Sequence, residues 1–153
     1  MWLRPAEERD MKQVWEWVND PVTRANALDS HFITWEEHRN WFRETINGWE
    51  RELRIIDIEG ESCGSIRLDF DADPTTALIA INIAPDSRGQ GLGTQALKEI
   101  VFIVQEFTSI GMLVAYIRPE NAASKRIFEK AGYIYLTSRE ENGTIVDVYT
   151  LSV

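Results

Sequence analysis

Apolar residues near the start of the chain recur at helical spacing. Met11, Val14, Trp15 and Val18 stand at i, i+3, i+4 and i+7, which predicts one buried helical face. Asn19-Asp20-Pro21 ends that helix, and Asp20 before Pro21 starts a short helical turn. Thr34 with Glu37 forms a capping box, behind which Trp35, His38, Phe42 and Thr45 share a face that runs to Gly48. Trp15, Trp35 and Trp41 read as core, and His38 as a hydrogen-bonded buried histidine. The period then changes to two. Trp2–Arg4 and Leu53–Ile58 read as strands, and Glu59-Gly60-Glu61 turns the chain into Cys63–Asp71. There Ile66, Leu68 and Phe70 face one way, and Ser65, Arg67, Asp69 and Asp71 the other. Asp73-Pro74 leads into a strand at Ala77–Ala84. A glycine-rich loop at 87–93 runs into a helix with Leu97, Ile100, Val101 and Val104 on one face. Met112–Ile117 reads as a buried strand, and Asn121 caps a helix over Ala122–Ala131 that Gly132 terminates. A hairpin around Asn142-Gly143 closes the chain. The pattern predicts a mixed α/β domain, antiparallel at first, with a strand–helix–strand crossover later.

The chain has 153 residues, enough for a single domain over 1–153 with its own core. Sixteen basic residues against 25 acidic ones give a net charge of −9, which argues against nucleic-acid backbone binding. One cysteine, Cys63, excludes an internal disulfide and a cysteine-based metal cage. No apolar run is long enough to span a membrane and no signal peptide is visible, so the expected setting is the cytoplasm, as a monomer or homodimer.

The most informative unit is Arg88-Gly89-Gln90-Gly91-Leu92-Gly93-Thr94, a strand-to-helix loop with three alternating glycines. Glycines let the backbone approach a ligand closely, and a helix start presents free N–H groups and partial positive charge, so the loop suits a pyrophosphate. A Walker loop is excluded because no lysine follows Gly93, and the dinucleotide fingerprint because Thr94 stands where its third glycine belongs. From Arg88 to Lys130 six basic residues face four acidic ones, a net of +2, while the rest of the chain carries −11. Local positive charge on an acidic protein suits an anionic ligand.

The loop resembles the Arg/Gln-x-x-Gly-x-Gly/Ala element of the GNAT superfamily of acetyl-coenzyme A-dependent N-acetyltransferases. Asn121-Ala-Ala-Ser124-Lys-Arg-Ile-Phe128-Glu-Lys-Ala-Gly132-Tyr133 resembles that family's later segment at the right distance. The resemblance implies a largely antiparallel mixed sheet of about seven strands flanked by about four helices. It implies acetyl-CoA as co-substrate, no metal, and direct transfer to a primary amine of a small molecule in a ternary complex. Asn82, Ile83 and Ala84 would pair with pantetheine, and the amides from Arg88 through Gly89, Gln90, Gly91, Leu92 and Gly93 to Thr94 would hold the pyrophosphate. Asn121, Ser124 and Phe128 would line the other side. Asn121 also reads simply as a helix cap. Many relatives carry a proton-donating tyrosine where this chain has Phe128; water, Tyr133 or another nearby hydroxyl can substitute, and a thiolate is in any case a tolerable leaving group.

Relatives often place a glutamate early in the strand before the loop, where this chain has Ala77-Leu78-Ile79-Ala80. Asp69 and Asn82 are the candidate catalytic residues, and Asn26, His31, Arg67 and Asp69 the candidate acceptor contacts. Asp69 is open to a second reading as an arginine's ion-pair partner on a solvated strand face. The N-terminal half and Gly64-Ser65-Ile66-Arg67-Leu68-Asp69 resemble the branch acting on nucleotide-linked 4-amino sugars in pseudaminic-type acid synthesis. Ribosomal-protein, aminoglycoside and polyamine acetyltransferases, and a non-catalytic coenzyme-A-binding domain, are the alternatives.

Overall fold

The computed structural model describes residues 1–70 and 72–153; Asp71, assigned above to the polar strand face, lies outside them. Seven strands form one sheet: β1 (Trp2–Pro5), β2 (Arg51–Ile58), β3 (Glu61–Phe70), β4 (Thr76–Ile83), β5 (Met112–Ile117), β6 (Ile134–Glu141) and β7 (Thr144–Ser152). Their order is β1-β2-β3-β4-β5-β7-β6, and β4–β5 is the parallel pair. The helices are α1 (Met11–Val18), α2 (Pro21–Asn26), α3 (Trp35–Asn47), α4 (Leu92–Phe107) and α5 (Ala122–Lys130). The short turn expected after Asp20 closes as a full helix, α2. Asp20 accepts from the Thr23 amide at 3.1 Å and Pro21 occupies the first helical position, where its missing N–H costs nothing.

α4 and α5 cover one face of the sheet. Leu97, Ile100 and Val104 of α4 are fully buried there against Ile66, Leu68 and Leu113. α1 and α3 cover the other face, where Phe42 meets Leu53 and Ile55. Burying each such side chain contributes about 1.5–3 kcal/mol. Cys63 is buried as a small apolar residue, its thiol 3.4 Å from the Glu61 carbonyl.

The tryptophans depart from the sequence reading. α1 buries Met11, Val14 and Trp17, while Trp15 is half-buried and Trp35 is 39% exposed. The indole N–H of Trp15 needs an acceptor, and it finds the Ile33 carbonyl at 2.8 Å at the rim. Trp15 there meets Trp35 and Phe32 edge-on, at 5.3 and 6.2 Å between ring centres. Trp41 is likewise half-buried, flanked by Arg51 and Arg67. His38 is buried as expected, its Nε2 2.8 Å from the Met11 carbonyl oxygen.

Candidate active site

β4 and β5 pair only through Thr76, Ala77 and Leu78 against Met112, Leu113 and Val114. Beyond that seam the ladder stops, although β4 continues to Ile83 and β5 to Ile117. The centre of the sheet therefore opens as a V. Ala80, in the middle of this interior strand, is exposed to solvent. A central strand exposes a residue only where the layer above it is interrupted, so a crevice stands over Ala80 on the α1–α3 face.

At the open end of the V, β4 leads into the glycine loop. Gly89 and Gly91 have φ of +76° and +78°, which L side chains rarely adopt, and a Cβ built on either meets no atom within 4 Å. α4 starts directly on Gly91 without a capping side chain, whereas α2, α3 and α5 are capped by Asp20, Thr34 and Asn121. The first N–H groups of α4, on Leu92, Gly93 and Thr94, lack acceptors within the helix. Open space before uncapped amides fits a diphosphate. Gly93 has a different duty, because a Cβ there would stand 2.9 Å from Ile127 Cδ1; it lets α4 pack closely on α5.

The main chain of β4 is less available than the sequence suggests. Ala84 donates to the Cys63 carbonyl at 2.8 Å and accepts from Ser87 at 2.9 Å, because the turn at 85–87 closes on it. Both its main-chain groups are engaged. The Ile83 carbonyl accepts from Arg88 Nε at 3.2 Å.

On α5, Asn121 accepts from the Ser124 amide at 3.1 Å, so the capping role is present. Phe128 is 2% exposed and packs edge-on against Tyr133 at 4.9 Å between ring centres. Tyr133 is itself buried, its hydroxyl has no partner among the described residues, and burial pushes its pKa well above the ordinary phenol value. That phenol holds its proton tightly.

The segment from Asp20 to Ile33 lies across the V. Arg118, just past β5, donates to the Ala27 carbonyl at 2.7 Å and the Leu28 carbonyl at 3.4 Å, and Thr144 of β7 donates to Leu28 at 3.2 Å. Within the segment, Arg24 donates to the Asp29 and His31 carbonyls at 3.0 and 3.3 Å and also bonds the Val18 carbonyl. Asn26, at the end of α2, spends its amide on the Val22 carbonyl at 3.1 Å. His31 is exposed, with Nδ1 2.6 Å from Asp29 Oδ1 and Nε2 3.5 Å from Glu37. The hydrogen bond and charge of Asp29, helped by Glu37, raise its pKa. The contact with Asp29 also occupies Nδ1.

Asp69 stands 2.9 Å from Arg67 Nε and 4.0 Å from Arg51 Nε. Both guanidinium groups lie about 6 Å from the Trp41 ring centre, at 5.9 Å for Arg67 and 6.0 Å for Arg51. Arg67 pairs across the ladder with Ala80, and Asp69 with Leu78, so this cluster borders the crevice. It places two cations on one carboxylate.

Asp20 and Thr23 carry a contact that sequence reasoning missed. Asp20 accepts from Arg88 Nη2 at 3.0 Å, Thr23 Oγ1 accepts from the same nitrogen at 3.0 Å, and Thr23 Oγ1 lies 3.2 Å from Asn82 Oδ1. Burial works against the Asp20 carboxylate, but Arg88 and the Thr23 amide outweigh it and hold its pKa below the usual range. The sequence signal at Asp20-Pro21-Val22-Thr23 announces only a helix cap.

The profile of the acetyltransferase (GNAT) domain matches residues 1–134, most of the chain. The chain therefore belongs to the GNAT acetyltransferase family. It is an acetyl-CoA-dependent N-acetyltransferase, and its mixed seven-stranded sheet is the fold of that family. Among solved structures, the aminoglycoside acetyltransferase AAC(6')-Ib in complex with coenzyme A is similar over 98% of this chain and 93% of its own, with TM-score 0.87 and 18% identity. The spermidine N-acetyltransferase from Vibrio cholerae in complex with CoA and spermine gives TM-score 0.83 and 16% identity over 97% and 92%. The ribosomal L7/L12 alpha-N-protein acetyltransferase RimL in complex with coenzyme A gives TM-score 0.83 and 18% identity over 99% and 93%. No curated protein sequence matches the chain. No helix among the described residues is long and apolar enough to cross a membrane.

Proposed function

We propose that the enzyme acetylates the primary amine of a small anionic acceptor, a nucleotide-linked amino sugar, in the cytoplasm. The single observation that favours this acceptor is the pair of guanidinium groups around Asp69 beside exposed Ala80. A polyamine or aminoglycoside calls for surplus carboxylate at its site. Here Asp20 and Asp69 are each answered by arginine. An acceptor with its own phosphates suits the surplus of cations.

In this proposal the amides from Gly89, Gln90 and Gly91 through Leu92, Gly93 and Thr94 hold the diphosphate of acetyl-CoA. The open edge of β4 at Asn82 and Ile83 lies along the pantetheine arm. Asn121 and Ser124 bound it from the start of α5, while the ring of Phe128, 2% exposed, stays in the core against Tyr133. Arg88 serves through its main chain and its tie to α2. Asp69 orients the incoming ammonium, whose proton goes to water. The neutral amine then attacks the thioester carbonyl, the C–S bond breaks, and coenzyme A leaves as a thiolate protonated from water. Arg67 fixes the Asp69 carboxylate and holds the acceptor's anion. Asn26 and His31 border the acceptor entrance. Transfer is direct, because the buried Cys63 thiol lies in the β2–β3–α4 core rather than in the crevice.

Thiol release from acetyl-CoA, followed with a UDP-linked 4-amino sugar, glucosamine, spermidine, kanamycin and an N-terminal peptide amine, tests the assignment. The UDP-sugar is expected to give the highest kcat/KM. A polyamine, aminoglycoside or peptide turned over faster by tenfold or more would replace the anionic acceptor.

A further inference from the structure

Asn82 sits where β4 opens away from β5, two residues beyond exposed Ala80 on the same side of the strand. One end of its carboxamide, Oδ1, lies 3.2 Å from Thr23 Oγ1. The other, Nδ2, is buried without a hydrogen-bond partner among the described residues. The structure turns the oxygen end toward Thr23, and the surrounding hydrogens accommodate that orientation. Arg88 has only donors, so the Thr23 oxygen accepts from Nη2 at 3.0 Å and must send its own hydrogen elsewhere. Two oxygens are in reach, Asp20 Oδ2 at 3.3 Å and Asn82 Oδ1 at 3.2 Å. Asp20 Oδ2 already takes the Thr23 amide at 3.1 Å and Arg88 at 3.0 Å. The structure sets Asn82 Oδ1, the slightly nearer acceptor, against that hydroxyl. An amide that receives a hydrogen bond at one end must present its oxygen there and its NH2 at the other.

We infer that Asp20, Thr23 and Arg88 are positioning residues for acetyl transfer, which lock the Asn82 carboxamide with Nδ2 as a donor toward an oxygen of the bound reactants. This rests on the assignment of Asn82 to the transfer site. A buried NH2 with nothing to bond is costly to keep, and a fold keeps one where a ligand completes it. A fixed donor near developing oxygen charge accelerates the chemical step more than it strengthens binding. The same contacts explain why the entrance arginine of the glycine loop turns away from the loop. Its guanidinium is occupied by the Ile83 carbonyl, Asp20 and Thr23. The lock also makes α2 a strut between the walls of the V, since Ala27 and Leu28 are held from the β5 and β7 side.

The test compares Asn82→Ala, Thr23→Val, Thr23→Ser, Asp20→Asn and the double variant Thr23→Val/Asn82→Ala. Asparagine at 20 still caps α2, so that variant removes the charge and keeps the helix. Kinetics use acetyl-CoA with the best amine of the panel above, and calorimetry measures CoA affinity. Asn82→Ala is expected to lower kcat about a hundredfold with CoA affinity within about twofold of wild type. Thr23→Val and Asp20→Asn should lower kcat about tenfold, Thr23→Ser should restore it, and the double variant should be no slower than Asn82→Ala. A second readout does not depend on turnover. The side-chain NH2 resonances of Asn82, assigned by their loss in Asn82→Ala, should move to the shifts of a mobile amide in Thr23→Val and stay in place in Thr23→Ser. Wild-type kcat in Asn82→Ala would remove Asn82 from the transfer site. A slow Asn82→Ala beside a fast Thr23→Val, unmoved resonances in Thr23→Val, or independent losses in the double variant would overturn the lock alone.

Discussion

Arg4 grips Asp10 through two parallel hydrogen bonds of 2.8 Å, Nη1 to Oδ2 and Nη2 to Oδ1, with both residues buried. The pair joins β1 to the start of α1. Burial opposes the Asp10 charge, yet Arg4 and the Glu7 amide prevail and hold its pKa below the ordinary value. A carboxylate depressed in the folded state contributes stability that is complete above its unfolded pKa, about 3.9, and is lost as pH falls through the folded pKa. Asp10→Ala leaves a buried guanidinium without its main partner and should cost about 3–5 kcal/mol. Urea melts at pH 7 measure the loss. In the wild type, the contribution of this pair should persist to pH 4 and fade below it.

His38 supplies an opposite chemistry with the same sign. It is 2% exposed, and desolvation lowers its pKa although the Met11 carbonyl works the other way. The folded state keeps the ring neutral while the unfolded chain protonates near pH 6.5, so stability falls as pH drops below that value. Thermal melts should show a decline as pH falls below about 6.5. Replacing His38 with Gln, whose amide reaches toward the same carbonyl, should flatten that slope. An unchanged slope would place its origin in another group.

Gly91→Val tests the diphosphate loop. The residue must adopt φ near +78°, which costs a β-branched side chain about 1–2 kcal/mol, but no protein atom lies near its Cβ. The variant should fold and lose CoA affinity at least about tenfold by calorimetry, about 1.4 kcal/mol. Full affinity would move the diphosphate elsewhere.

Asp69→Asn keeps the shape and removes the charge between Arg67 and Arg51. The expected result is a kcat about a hundredfold lower, little change in CoA affinity, and a shifted pH–rate profile. Wild-type turnover from pH 6 to 9 would leave Asp69 as an ion-pair partner and point to solvent as the base.

The sequence made some features plain and hid others for identifiable reasons. The glycine loop, the capping box at Thr34 and Glu37, and the Asn121 cap were readable because each is a local device. So was the alternation along β3. The choice between Trp15 and Trp17 was not, because neighbouring helical faces overlap and only the sheet beneath decides which one is buried. The Asp20–Arg88 bond spans 68 positions and has no local pattern. Ala84 read as an open edge, yet its main chain is consumed by a turn whose geometry its side chain does not encode. The seam of three residue pairs between β4 and β5 likewise depends on register, which the hydrophobic pattern leaves free.

The strap between Asp20 and Ile33 is fastened chiefly by its own main-chain oxygens. Arg118 and Thr144 read the carbonyls of Ala27 and Leu28, and Arg24 reads those of Asp29 and His31. Such fastenings do not ask which side chains the intervening residues carry. Positions such as Asn26, Ser30 and His31 can therefore be exchanged while the strap stays tethered. On the proposed acceptor assignment, this segment is a replaceable cassette at the mouth of the crevice over Ala80, so a lineage, or a designer, can change the amine that is admitted without rebuilding the sheet beneath it.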